Sequence, residues 1–205
     1  MTRPNPFSTR FVRPGEIPFV FPPGQSLDQL LAACARPRAQ GAILGPHGSG
    51  KSTLLETLGI HWAEVGLVEQ RVRLTASRRR VSIPWGQVDA KSILVIDGFE
   101  QLWAWQQWCI RWRCWQKQAR LLVTCHAACG LPVLLRTEPT WELARCLATD
   151  LLGDDATAYE DALRAFWEEH PGDIREFFFR LYHFCESHGI YRSGDDAAES
   201  SRLRY

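Results

Sequence analysis

The chemistry legible in this chain is concentrated in nine consecutive residues, Gly45-Pro46-His47-Gly48-Ser49-Gly50-Lys51-Ser52-Thr53. They fill the phosphate-binding spacing GxxxxGK[ST]. Glycines allow successive backbone N–H groups to point inward and cradle phosphate oxygens. A helix opening near Lys51 adds the positive end of its dipole. Lys51 would meet the β- and γ-phosphates of a nucleoside triphosphate as a point charge, and Ser52 would offer its hydroxyl to Mg²⁺. A second feature completes the constellation. Ser92-Ile93-Leu94-Val95-Ile96-Asp97 is a continuous apolar run closed by a carboxylate. Such a run reads as a fully buried parallel strand whose acid stands at the C-terminal edge, where open α/β sheets bind ligands. Asp97 is therefore the second candidate Mg²⁺ ligand.

These residues need a particular set of elements to bring them together. Gly41-Ala42-Ile43-Leu44 reads as a short buried strand ahead of the loop, and Leu54-Leu55-Glu56-Thr57-Leu58 as the helix behind it. Gln25 to Ala35 reads as a helix capped by Ser26, and Val68 to Thr75 alternates as a strand. Arg78-Arg79-Arg80 reads as a solvated turn, with Val81-Ser82-Ile83 a possible return strand. Phe99 to Gln118 reads as a helix. Its apolar stripe of Leu102, Trp105, Trp108, Cys109, Trp112 and Trp115 is expected to pack on the sheet, although so many tryptophans also suit a protein partner. Arg120 to His126 and Leu131 to Thr137 read as two more strands. Thr140 to Leu152, Tyr159 to Glu169 and Asp173 to Ser187 read as helices, and the polar tail from Arg192 as frayed.

Composition sets the bounds. The 205 residues suffice for one α/β domain with a small appendage, and the net charge of +1 gives no global field toward nucleic acid or membrane. No run approaches the roughly 20 apolar residues of a membrane span, and Met1 to Pro6 lacks the apolar stretch of a secretory signal. The expectation is a soluble, cytoplasmic protein. Seven cysteines without a CxxC pair read as reduced thiols; Cys109, Cys114, Cys125, Cys129 and His126 lack a regular zinc spacing. Residues 1–24 carry six prolines among Phe7, Phe11, Phe19 and Phe21, which reads as an extended arm lying against the core.

With GPHGSGKST as the Walker A segment and ILVID as the Walker B segment, the chain resembles P-loop NTPases of the additional-strand branch, in particular AAA+ and STAND-type ATPases. The resemblance implies a three-layer α/β fold with a mostly parallel five-stranded sheet of order 5-1-4-3-2. Helices flank the sheet, and a small helical appendage follows it. The expected organisation is an arm over 1–24, a nucleotide-binding core over 25–152, a lid-like segment over 153–190 and a tail over 191–205. The resemblance also implies roles. Gly45 to Thr53 bind the triphosphate, Ser52 and Asp97 hold Mg²⁺, and Thr124 or His126 stands at the first γ-phosphate sensor. Arg175, in Gly172-Asp173-Ile174-Arg175, stands at the second. The family's usual glutamate directly after the Walker B aspartate is replaced by Gly98, so Glu100 becomes the candidate that orients water, provided the chain turns sharply at Gly98.

The function implied is an ATP-binding protein, a Mg²⁺-dependent ATPase whose nucleotide state moves a lid or a partner surface on the Trp-rich segment 99–118. The alternatives are a small-molecule or nucleoside kinase, and a nucleotide switch with little hydrolysis. Nothing in the sequence marks adenine over guanine.

Overall fold

The computed structural model describes residues 5–75 and 82–189. The turn Arg78-Arg79-Arg80, Val81 of the expected return strand and the tail from Arg192 lie outside the described residues; Ser82 and Ile83 are not in a strand. Among the described residues the chain forms two compact units. One is Pro18–Thr137, and the other joins residues 5–17 to 138–189.

The first unit is built on five parallel strands: β1 (Gln40–Leu44), β2 (Val68–Arg73), β3 (Ser92–Asp97), β4 (Arg120–Cys125) and β5 (Val133–Arg136). Their order is β2-β3-β4-β1-β5, the expected 5-1-4-3-2 read from the other edge. β4 lies between the strand that feeds the phosphate loop and the strand that ends in Asp97. Alternation along the strands builds two apolar layers. On one side Ile43, Ile93, Val95 and Leu122 pack with Leu30, Leu31 and Cys34 of α2 (Leu27–Ala35) and Leu54, Leu55 and Leu58 of α3 (Lys51–His61). On the other, Ala42, Leu94, Ile96, Leu121 and Val123 pack with Phe99, Leu102, Ile110 and Cys114. Ser26 caps α2 by accepting from Gln29 N–H (3.3 Å).

The segment expected as one helix from Phe99 is a short turn at Phe99–Gln101 followed by α4 (Ala104–Gln116). The side of α4 that faces the sheet is not the tryptophan stripe. Ile110 and Cys114 are its buried residues, while Trp105, Trp108, Trp112 and Trp115 point away from the core and stand 45% to 66% exposed. The expected packing of that stripe on the sheet is thus corrected for its tryptophans, while Leu102, in the turn before the helix, is buried in the apolar layer. Phe99, Leu102, Ile110, Cys114 and Ala119 already fill the apolar layer, with Trp85 packed against it.

The second unit contains α1 (Thr9–Val12), α5 (Trp141–Leu152), a 3₁₀ stretch at Gly153–Tyr159, α6 (Glu160–Glu169) and α7 (Ile174–Ser187). Thr140 caps α5 and Asp173 caps α7, as their residue types predict. Ala144, Ala148 and Leu152 of α5 share a core with Leu163, Trp167, Phe177 and Leu181. The division therefore falls between Thr137 and Glu138, whereas the sequence pointed to residue 152. The proline-rich arm divides too. Phe7 joins the α5–α7 core, with its ring 5.6 Å from that of Phe178, and Asn5 Nδ2 donates to Tyr182 O (3.0 Å). Phe19 and Phe21 instead pack in the first unit. The short helix α1 fits in the proline-free interval between Pro6 and Pro14, so the arm is not extended throughout.

Candidate functional site

β1 delivers the chain to Gly45 at the C-terminal edge of the sheet. Gly48 and Gly50 have φ of 67° and 90°, left-handed backbone that a side chain would strain. Gly45 is fixed by space: a Cβ there would run into Thr137 Oγ1 and the Thr137 carbonyl. Thr137, just past β5, clamps the loop. Its N–H donates to Leu44 O (2.7 Å), and its hydroxyl shares a 2.6 Å bond with Ser49 Oγ, which also donates to Pro46 O (2.9 Å). The first bond of α3 runs from Leu54 N–H to Gly50 O (2.9 Å). The amides ahead of it, those of Ser52 and Thr53 among them, are the donors that a helix leaves without an acceptor of its own. Lys51 is buried, and its ammonium donates to Gly45 O (2.6 Å) and Pro46 O (2.5 Å).

Strand register assembles the acidic half of the site. Asp97 is paired with Arg73 on one neighbouring strand and with Thr124 on the other, so three functional groups stand abreast. Ser52 Oγ donates to Asp97 Oδ2 (3.2 Å), and Thr124 Oγ1 donates to Asp97 Oδ1 (2.6 Å) while accepting from Gly98 N–H (2.9 Å). Arg73 Nε lies 3.3 Å from Asp97 Oδ2, and Arg73 Nη2 donates to Ser52 Oγ (3.4 Å). A hydroxyl and a carboxylate oxygen this close form the hard oxygen donor pair that suits Mg²⁺.

Gly98 has φ of 88°, the sharp turn that Glu100 requires. Glu100 Oε1 then lies 3.2 Å from His126 Nε2, while Glu100 Oε2 is buried with no hydrogen-bond partner among the described residues. The other ring nitrogen of His126 lies 3.1 Å from Gly45 O and 3.4 Å from Lys51 Nζ, and the His47 ring packs on the His126 ring at 3.8 Å. With Nε2 protonated, His126 donates to Glu100, and Nδ1 can accept from Lys51. Thr124 and His126, alternatives in the sequence, thus separate: the first holds Asp97, the second links Glu100 to the loop. Arg175 stands in the first turn of α7, in the other unit.

Two neighbours escaped the sequence reading. Arg73 and Thr137 become visible only through strand order and register. Phe19, of the arm expected to lie against the core, has its ring edge beside Gly50, 3.5 Å from where a Cβ would stand. Among the described residues no group of three or more His, Cys, Asp or Glu side chains is placed to hold a metal ion, and no helix is long and apolar enough to cross a membrane.

No family model matches the sequence, and no curated protein matches it. Among solved structures the chain is similar to Cdc6p from Pyrobaculum aerophilum, with a TM-score of 0.60 and 16% identity over 88% of this chain and 66% of that one. It also matches PCH-2 of C. elegans more remotely, with a TM-score of 0.42 and 10% identity over 75% of this chain and 66% of that one. The chain spans about two thirds of the length of each. The Cdc6p likeness, with the strand order and the glycine loop, shows the additional-strand P-loop NTPase fold in its AAA+-like form.

Proposed function

We propose that the chain binds ATP with Mg²⁺ and hydrolyses it slowly, passing its nucleotide state to a lid or partner surface. The observation that carries this reading is the 3.2 Å approach of Ser52 Oγ to Asp97 Oδ2 at the head of the helix that Lys51 opens. The amides of the loop and of the first turn of α3 bind phosphate oxygens. Lys51 exchanges two loop carbonyls for the β- and γ-phosphates; at about 4 Å and an effective dielectric near 20, that attraction is on the order of 4 kcal/mol before desolvation. Ser52 and Asp97 hold Mg²⁺, which neutralises charge on the phosphates. Thr124 fixes the Asp97 carboxylate. Glu100 is assigned to orienting the attacking water, which its carboxylate reaches by turning out of the buried position beside His126. Arg175 is assigned to the γ-phosphate by the resemblance of its motif.

Transmission has a physical route through α4. Gln107 Nε2 donates to Phe99 O (3.3 Å) and Leu102 O (3.0 Å), tying the first turns of the helix to the segment that carries Glu100. The His126–Glu100 pair supports a second reading, a nucleotide switch with little hydrolysis, because a carboxylate held by His126 is not free to engage water fully. Phosphate release separates the two. Slow hydrolysis predicts release that Glu100→Gln lowers about 100-fold, within the range for removing one preorganised catalytic group. A switch predicts no release from either protein, with ATP still bound. Equal, measurable rates in wild type and Glu100→Gln remove Glu100 from the mechanism.

A further inference from the structure

The outward face of α4 is a feature that the nucleotide site does not use. A helix advances about 100° per residue, so Trp105, Trp108, Trp112 and Trp115 fall within roughly 80° of one another on the side opposite Ile110 and Cys114. Taking about 250 Å² for a whole tryptophan, these four leave roughly 570 Å² exposed, at the upper end of the 300–600 Å² or so of the largest patch on an ordinary monomer, and Trp103 just ahead of the helix is exposed as well. The rim of the patch is basic. Arg111 and Arg113 flank the stripe on opposite sides, Lys117 follows its last turn, and Arg38 lies over the Trp115 ring at 4.9 Å. No Asp or Glu occurs between Glu100 and Glu138.

We propose that this face binds the surface of an anionic phospholipid bilayer. Indole is the side chain suited to the headgroup layer, with an apolar body and one N–H donor. Arginine and lysine at the rim match anionic headgroups, and a helix with aromatics on one side and cations at its edges lies in the interface plane. Two rival occupants fit less well. A second copy docking through the same face would set Arg111, Arg113 and Lys117 against their own like charges. A nucleic-acid strand needs open ring faces on which bases stack. Trp108 and Trp112 instead lie parallel, with planes 5° apart and centroids at 6.0 Å, which leaves no room for a base between them. The proposal concerns a peripheral contact of the folded chain and stands independently of the nucleotide reading.

The test is co-sedimentation of the full chain with vesicles of equal parts phosphatidylglycerol and phosphatidylcholine, with tryptophan emission read alongside. Binding with a blue-shifted emission is expected, weakening as salt is raised and falling about tenfold or more on pure phosphatidylcholine. The double variant Trp105→Ala/Trp112→Ala should lose about tenfold or more in partitioning while keeping its Tm and its ATP-dependent Tm shift. Arg111→Gln/Arg113→Gln should lose the preference for anionic vesicles and retain the weak neutral binding. Failure to sediment with anionic vesicles at low salt overturns the proposal and leaves the face to a protein partner. Vesicle binding that the double tryptophan variant retains in full overturns it by placing the contact elsewhere. Tighter binding to a single-stranded oligonucleotide than to the vesicles, lost in the same variant, overturns it in favour of nucleic acid.

Discussion

Helices α3 and α4 each follow a strand that carries a site residue to the same edge of the sheet, yet they use their faces in opposite ways. α3 puts its chemistry at its tip, with Lys51 and Ser52 in the first turn, and buries Leu54, Leu55 and Leu58. α4 reaches the chemistry only through the turn before it, buries Ile110 and Cys114, and turns its tryptophans outward. One helix is a support for a loop. The other is a support with a second surface, and its apolar content does not mark the side that faces the core.

The contrast can be broken by substitution. Leu58→Ala on α3 should cost about 2–5 kcal/mol in urea unfolding, because the packed layer around it closes poorly over a cavity. Thr124→Val should cost about 1–3 kcal/mol, since it strips a donor from Asp97 and an acceptor from Gly98 N–H; Mg²⁺-dependent ATP binding should weaken with it. Trp105→Ala on α4 should move stability by no more than about 0.5 kcal/mol. A Trp105→Ala cost equal to that of Leu58→Ala would mean that the stripe is packed after all. The smallest effect concerns reactivity. Burial pushes the Cys34 and Cys114 thiols up to about 12 and the Cys185 thiol up to about 11, so each stays protonated near neutral pH. Mild alkylation of the folded chain at pH 8 should mark exposed Cys146 and spare those three, read by peptide mass. Because unfolding releases these thiols to ordinary values, their contribution falls as pH rises past the unfolded thiol range.

The same contrast explains what could be read from the residues alone. The loop, the α3 head and Asp97 were legible because a phosphate cradle is a local pattern, and a buried parallel strand announces itself as an unbroken apolar run. The strand order followed from the resemblance those motifs carry. Arg73 and Thr137 were not legible, since their place at the site depends on register across neighbouring strands. Thr124 and His126 could not be told apart, because side-chain direction at a strand end is decided by the turn beyond it. The stripe on α4 misled for a different reason. Period 3.6 identifies an apolar face but assumes that such a face points inward, and α4 has two, the narrower of which fills the core. The boundary after residue 137 was hidden likewise, because an amphipathic α5 does not say which apolar layer it will join.

The central claim is that Lys51 and the backbone around it form a triphosphate site completed by Ser52 and Asp97. The most direct measurement is calorimetric titration of ATP into the wild-type chain and into Lys51→Ala, each with Mg²⁺ and with chelator. The account predicts saturable binding that strengthens with Mg²⁺ and falls by about 100-fold or more in Lys51→Ala, in line with a charge contact of on the order of 4 kcal/mol before desolvation. Equal affinity in both proteins, or binding indifferent to Mg²⁺, would contradict it.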